Sequence, residues 1–200
     1  MALISLPSNL VPNGASPFLL DFGSVLTPYN GGPTQRINRL GMRIGARFSM
    51  PPLRSQDDGL VLISRLMQAK ADRLLIDWPL LGFDPGPVGT PLVRVAVAGG
   101  TTLQLKGLPA GKVLKEGQPV SVIAGGRRYF HFFNGATANG SGDVTVSVWP
   151  PMRAAFAVND VVEIAQPKLE GHVLPGDELT WEMTINHMFE GISFSVVEAA

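Results

Sequence analysis

Residues 34–50 constrain the fold more than any other stretch, because their side chains alternate in character with a period of two. From residue 40 onward the even positions are apolar, namely Leu40, Met42, Ile44, Ala46, Phe48 and Met50. The odd positions are small or basic, namely Arg39, Gly41, Arg43, Gly45, Arg47 and Ser49. Successive side chains of a β-strand point to opposite faces, so the pattern predicts a strand with one buried face and a row of arginines on the other.

A single strand over this whole stretch would be unusually long. At about 3.3 Å per residue it would span roughly 50 Å, whereas most strands have about five or six residues. Glycine inside a strand often marks a bulge or a close backbone approach. We therefore expect the stretch either to bend at Gly41 and Gly45 or to be shared between two packing environments.

The glycine and proline content favours a β-rich fold. The chain has 23 glycines and 17 prolines among 200 residues, and 45% of its residues are hydrophobic. Both breaker residues interrupt helices, so a helical bundle is excluded and many short strands joined by turns are expected. The predicted fold class is mainly β: a discontinuous β-rich domain with one helix, plus an inserted small all-β barrel or sandwich module.

The N-terminal part of that domain should contain an extended segment followed by strands. Residues 2–16 combine prolines with apolar side chains and predict an arm that docks on another surface. A first strand is expected at residues 18–26, a turn at residues 27–33 and a further strand at residues 73–78.

One helix is predicted, at about residues 56–70. Ser55 is the expected N-cap, because a serine at that position can bond a free backbone N–H of the first turn. The buried face is expected to carry Leu60, Ile63, Leu66 and Met67.

Residues 89–168 predict the inserted all-β module. Short alternating strands recur from Val93 to Ala165, with turn signals roughly every 8 to 12 residues, as in a small barrel or sandwich. The stretches 80–91 and 166–176 are rich in proline and glycine and are interpreted as linkers.

The C-terminal residues should complete the first domain. Alternating patterns at residues 179–186 and 192–196 predict a hairpin with its loop at residues 187–191. Because an isolated hairpin is at best marginally stable, this pair must extend a sheet formed by earlier strands. We therefore predict that residues 1–88 and 169–200 form one domain.

No residue pattern indicates catalysis. The absence of cysteine excludes disulfides and thiolate zinc sites. His131, His172 and His187 lack metal-motif spacing, and the adjacent Asp57 and Asp58 are explained as favourable charges at a helix N-terminus. Residues 107–112 lack the spacing and the serine or threonine of a phosphate loop. We expect a chain that is not an enzyme and has no metal and no cofactor.

The arginine row is the one functional candidate. Lysine plus arginine equals aspartate plus glutamate at 16 each, so a general attraction to nucleic acid is absent. Arg39, Arg43 and Arg47 would share one strand face, with Arg36 just before them. This face is either solvated with carboxylate partners on neighbouring strands, or it meets a neighbouring subunit or the lumen of a ring.

The sequence also bears on targeting. The first 20 residues have no basic segment and are interrupted by prolines, so we expect no signal peptide. No apolar run reaches the ~18 residues of a membrane span, so no membrane insertion is expected. The low charge suits a chain that functions in an assembly.

Several segments resemble tail proteins of long-tailed bacteriophages and related prophages. In the central module the resemblance rests on five segments. They are a leucine-rich strand and turn at residues 101–122, a GGRRY run at 125–129, a TANGSG turn at 137–142, a WPPMR corner at 149–153 and an EIAQP run at 163–167. The first part, from residues 31–36 to the prolines at 51 and 52, is similar to the first domain of distal tail proteins at the tail tip. These motifs follow one another in the family's order over more than half of the chain.

This resemblance implies a structural role in the virion. Six copies of a distal tail protein form a ring that joins the tail tube to the tail-tip hub, with the inserted module projecting outward. Residues 1–88 and 169–200 would form the ring, and Arg36, Arg39, Arg43 and Arg47 would be interface or channel-facing residues. The expected partners are further copies of the chain, the tail tube protein, the hub protein, other tail proteins and DNA passing through the channel. Assembly would take place in the host cytoplasm.

Two other functions stay open at this point. The central module could bind a saccharide or receptor as part of a tail or cell-surface assembly, with Tyr129, Phe130 and Trp149 as stacking residues. Alternating strand patterns favour core positions for two of these aromatics. A cell-wall-degrading enzyme is disfavoured, because no coherent set of acid, base or metal ligands is present.

Overall fold

The computed structural model describes residues 2–37, 39, 41–174 and 179–199, which contain 17 strands and one α-helix. The strands before the helix are β1 (Leu3–Ser5), β2 (Gly14–Leu20), β3 (Ser24–Leu26), β4 (Gln35–Ile37), β5 (Arg43–Ser49) and β6 (Leu53–Arg54). A π-helical turn (Ser55–Gly59) leads into helix α1 (Leu60–Ala69). The later strands are β7 (Arg73–Asp77), β8 (Leu92–Val93), β9 (Gly100–Lys106), β10 (Val113–Ala124), β11 (Arg127–Thr137), β12 (Val144–Met152), β13 (Val161–Glu163), β14 (Lys168–Val173), β15 (Glu182–Met183), β16 (Met188–Glu190) and β17 (Ser193–Glu198).

The main sheet has six strands in the order β1, β7, β14, β17, β5, β2. β1 lies parallel to β7, and the other neighbours are antiparallel. Its strands come from both ends of the chain, up to Asp77 and from Lys168 onward. Helix α1 packs on the sheet through a shared apolar core that includes Ile44, Ala46, Phe48, Leu62, Leu66, Leu74, Leu169 and Val196.

The segment between these strands forms a closed barrel. Its strand order is β10, β11, β12, β9, β8, β13, and all the pairs are antiparallel. The barrel has its own core, which includes Val93, Leu103, Leu105, Val120, Val122, Phe133, Val146 and Phe156. The predicted fold class, β-rich with one helix and a small barrel, is confirmed. The boundaries at 88/89 and 168/169 stay a prediction.

The alternating stretch is divided between two sheets. Its apolar positions from Met42 to Met50 are buried, including Ile44 and Phe48, as the pattern predicted, while Leu40 lies outside the described residues. The idea of one long strand is wrong, because β4 pairs with β3 in a separate two-stranded sheet and β5 begins only at Arg43. The second expected alternative, two packing environments, is the one found. Gly45 permits a close contact, since a Cβ there would lie 2.5 Å from the ring of Phe18.

The N-terminal segment joins the chain's own sheet instead of reaching another surface. β1 pairs with β7, and β2 pairs with β5 from Gly14 to Leu20, which satisfies backbone groups that a free arm would leave to water. The predicted strand at residues 18–26 is two strands. The break follows from a local turn, in which the Gly23 N–H donates to Asp21 Oδ1 at 2.7 Å.

The helix starts differently from the prediction. Ser55 lies inside the π-helical turn and no side chain caps it, so the predicted N-cap is wrong. The buried stripe contains Leu62, Ile63, Leu66 and Ala69, while Leu60 and Met67 are exposed. Because residues 60–63 are all apolar, the sequence pattern allowed a stripe on either side, and packing on the sheet selects the one through Leu62.

Two C-terminal predictions are also wrong. The stretch interpreted as a second linker contains β14, an interior strand of the main sheet, because Leu169 and Val173 enter the core while Gly171 lets β17 approach closely. The predicted loop at residues 187–191 contains β16, which pairs with β15 and β6 in a three-stranded sheet. β17 instead joins β14 and β5, so the two expected hairpin strands do not pair with each other.

Candidate interaction surface

The four arginines singled out from the sequence lie in two places. Arg36 is exposed on β4, and its Nη2 lies 2.6 Å from Asp21 Oδ2 in an ion pair. Arg39 is exposed between β4 and β5. Arg43 and Arg47 lie four residues apart on β5 in the main sheet, about 13 Å from each other along the strand. The structure therefore brings two of the four into one row.

The row on β5 has no carboxylate partner among the described residues. Arg47 is exposed between Ser16 and Ser195 on the neighbouring strands, and its Nε donates to Ser195 Oγ at 3.4 Å. Arg43 is half-buried opposite Leu20, and its Nε has no hydrogen-bond partner. Neither arginine forms an ion pair with another described residue. Glu198 lies on the neighbouring strand β17, but it pairs with Arg153. No other carboxylate in the described part of the chain pairs with Arg43 or Arg47, so these two charges stay available to a partner.

The two-stranded sheet of β3 and β4 is exposed throughout. All of its strand residues are exposed to solvent. We call its apolar side chains the hairpin surface: Val25, Leu26, Tyr29 and Ile37, with exposed fractions of 62%, 51%, 108% and 40%. A two-stranded hairpin alone is at best marginally stable, and exposed apolar side chains mark interaction sites, so the hairpin surface is a candidate interaction surface.

A second apolar surface lies beside the start of α1. Leu60, Met183 and Ile185 are exposed by 58%, 74% and 93%, and we call them the helix-end surface. Leu60 and Met183 line one pocket of about 340 Å³, together with Ser55, Gln56, Thr184, His187, Met188 and Phe189. Sequence reasoning missed this surface, because Leu60 was expected in the core and residues 179–186 were expected to form a strand that extends a sheet of earlier strands.

The barrel and the main sheet are joined by a buried ion pair. Arg153 follows β12 of the barrel and Glu198 ends β17 of the sheet, and Arg153 Nη2 lies 2.5 Å from Glu198 Oε1. The Glu198 side chain is 0% exposed and also accepts a hydrogen bond from the Phe130 backbone N–H at 2.9 Å. Arg153 donates in turn to the backbone carbonyl of Met42. Burial raises the pKa of Glu198, while Arg153 opposes that shift.

A second buried carboxylate, Glu170 on β14, strengthens this connection between the barrel and the main sheet, which we call the joint. It pairs with Arg73 on β7 and accepts a hydrogen bond from the Arg128 backbone N–H of the barrel at 3.2 Å. The Arg128 guanidinium binds both oxygens of Glu163, at 3.0 and 3.1 Å. This bidentate contact lies within the barrel and fixes the direction of the Arg128 side chain. Its Nη1 then lies 3.8 Å from Glu170 Oε2 of the sheet, which adds an ion pair to the joint.

Sequence reasoning missed the residues of this joint. The available signal was a charged residue at a strand position among apolar neighbours, as at Glu170 and Glu198. A buried charge is costly unless it is paired, so such positions predict a partner. The identity of that partner depends on tertiary structure.

His131 is buried beside this joint. It is 1% exposed, and its Nδ1 lies 2.8 Å from the Pro150 carbonyl oxygen, to which the neutral ring donates. Burial lowers the pKa of His131 to about 4, the hydrogen bond to Pro150 partly opposes this shift, and the nearby charge of Arg153 adds to it. The folded chain therefore keeps this ring neutral at pH values where the unfolded chain protonates it.

We expect His131 to make the fold sensitive to acid. Its stabilising contribution is full above the ordinary pKa of 6.5 and is lost as the pH falls toward the folded-state pKa of about 4. Between pH 7.5 and 4.5 the wild type should lose about 2.5 kcal/mol more unfolding free energy than His131→Asn, which keeps a donor for Pro150. Urea titrations of both proteins at the two pH values measure this difference. Parallel profiles of unfolding free energy against pH for the two proteins would show that His131 has no such role. Glu198, whose raised pKa changes stability with pH in the opposite direction, is present in both proteins, so its effect cancels in the comparison.

The other residues considered for chemistry lie apart. His172 lies on β14 and His187 in the turn before β16, and no cluster of three or more possible metal ligands occurs in the described residues. Phe130 is buried against Trp78, with ring centroids 4.4 Å apart, and Tyr129 packs against Phe156.

No protein-family model matches this chain, and no curated protein sequence is significantly similar to it. Within the described ranges, no helix has the length and apolar character needed to cross a lipid bilayer. Because neither comparison identifies a relative, function is inferred from the geometry of the joint and of the two exposed surfaces.

Proposed function

We propose that this chain is a distal tail protein, a structural ring subunit at the tail tip of a long-tailed bacteriophage or prophage. In this role it is a virion protein assembled in the host cytoplasm, and a ring of six copies connects the tail tube protein to the tail-tip hub. The resemblance of several sequence motifs to those of such tail proteins supports the proposal, as does a β-rich domain that carries a barrel.

The observation that carries the proposal is the exposed hairpin of β3 and β4. All of its strand residues face solvent in the single chain, including Leu26 and Ile37. A chain that keeps such an element must cover it with a neighbour, since large exposed apolar surfaces mark interaction sites. The joint at Glu198 supports the same role, because a barrel fixed to the sheet can present one constant outer surface in every copy.

The arginine row would face the channel or the neighbouring copy. Arg43 and Arg47 carry charge on one side of β5 without a carboxylate partner among the described residues. An arginine-lined surface suits either acidic side chains of a neighbour or the phosphates of passing DNA. Repetition around a ring would multiply the effect of each charge.

Imaging of the purified chain by negative-stain electron microscopy tests this function. We expect rings with a central hole, and the variant Arg47→Glu should form at least tenfold fewer of them. Arg47 is exposed, so the variant should keep its unfolding free energy within about 0.5 kcal/mol of the wild type. Arg47→Lys, which keeps the charge, is the control and should assemble. Normal rings from Arg47→Glu would exclude this arginine from the interface between copies.

The alternative function is binding of a saccharide or receptor by the barrel. One observation favours it: Trp149 is 42% exposed on the barrel, as a stacking residue must be. Phe130 is buried and Tyr129 is half-buried, so these two do not extend a stacking surface around it. A chain that formed no rings and showed saccharide-dependent fluorescence lost in Trp149→Ala would support this alternative.

A further inference from the structure

The hairpin surface and the helix-end surface lie toward opposite ends of one strand. The β2–β5 ladder runs from the pair Gly14–Ser49 to the pair Leu20–Arg43. The hairpin surface continues from the Leu20–Arg43 end, and the helix-end surface follows Ser49 by way of β6 and the π-helical turn. Seven strand residues separate these ends by about 20 Å. A neighbour that covers one surface therefore leaves the other free.

One surface presents a projecting side chain and the other borders a pocket. Tyr29, at the turn of the hairpin surface, is 108% exposed. At the helix-end surface, Leu60 and Met183 line a pocket of about 340 Å³. An aromatic ring with a polar tip is the type of side chain that most often anchors an interface in such a pocket.

The charges of the two surfaces are complementary. Glu182 and Glu190 lie directly opposite each other on β15 and β16, and neither has an ion pair within the described part of the chain. Like charges at directly opposed strand positions are destabilising, so this pair favours a cation from outside the chain. Arg39, next to the hairpin surface, is exposed and supplies such a cation from a second copy.

We propose that the hairpin surface of one copy docks into the helix-end surface of the next, with Tyr29 in the pocket and Arg39 beside Glu182 and Glu190. The contact is head to tail, because two different surfaces mate, and repeated head-to-tail contacts close into a ring when the rotation permits. This inference rests on the proposed ring function and identifies the surfaces that would build it.

The absence of cysteine permits a direct test by disulfide cross-linking. The double variant Leu26→Cys, Met183→Cys carries one thiol on each surface. After mild oxidation under assembling conditions, a non-reducing gel should show a ladder of cross-linked species that collapses on reduction. Each single variant should give at least tenfold less cross-linked product, because two identical surfaces do not meet. Val113→Cys with Met183→Cys is the matched control. Val113 is 57% exposed, about as much as Leu26, but it lies on the barrel and outside the proposed contact, so this pair should give no ladder.

The outcomes separate this inference from the proposed function. Rings without a ladder, or dimers from the single variants as abundant as the ladder, would overturn the head-to-tail contact and leave the ring intact. A wild-type chain that never self-associates would overturn both.

In addition, Tyr29→Ala should weaken self-association at least tenfold with an unchanged melting temperature, and unaltered association would remove Tyr29 from the interface.

Discussion

Glu198→Ala is expected to reduce the unfolding free energy by about 3 to 5 kcal/mol. The substitution removes the partner of Arg153, whose side chain is only 9% exposed, and the acceptor of the Phe130 N–H. Both groups would stay buried without compensation, and an unpaired buried charge is more costly than the loss of the attraction itself. Chemical denaturation of variant and wild type at neutral pH measures this loss.

Two control variants make the test specific for the buried pair. Asp77→Ala removes an exposed ion pair of similar length, 2.7 Å to Lys168, and should cost under about 1 kcal/mol. The double variant Glu198→Leu, Arg153→Met replaces the whole pair with apolar groups and should regain most of the loss. Equal losses in Glu198→Ala and Asp77→Ala would contradict the assigned role of the joint.

Gly171→Ala should cost about 3 kcal/mol, although alanine is only slightly larger than glycine. Gly171 is buried in β14, and a Cβ there would lie 2.2 Å from the Val197 carbonyl oxygen and 2.9 Å from Val196 Cγ1. Backbone cannot move aside as the end of a flexible side chain does, so β17 would have to shift, and Glu198 with it.

The matched control for this prediction is Gly140→Ala. No heavy atom lies within 4 Å of a Cβ at that position, so the variant should stay within about 0.5 kcal/mol of the wild type. Thermal unfolding of the two variants beside the wild type measures the contrast. Similar melting temperatures for both would show that β17 tolerates the added methyl group.

The parts of the fold that the sequence predicted are those with local periodicity. The alternation that places Ile44 and Phe48 in the core appears directly in neighbouring residues, and so do the turns of the barrel. Strand β14 escaped prediction because residues 166–176, which contain it, include two glycines and two prolines and resemble a linker, whereas its burial depends on β7 and β17 on either side.

The candidate site was predictable only in part. The arginine pattern identified Arg43 and Arg47 as members of one row, since both lie on the same strand. It also linked them to Arg36, which the break between β4 and β5 assigns to another sheet. The helix-end surface depends on the rotation of α1, which four consecutive apolar residues leave undetermined. Likewise, the pairing of Arg153 with Glu198 joins residues far apart in the sequence and requires the folded chain.

The central claim is that the chain assembles into a closed ring, and the mass of the purified protein in solution tests it most directly. Light scattering over a wide concentration range should show a rise from the single-chain mass of 21.3 kDa to a plateau near about six times that value. A constant mass of one chain at every concentration would contradict the ring.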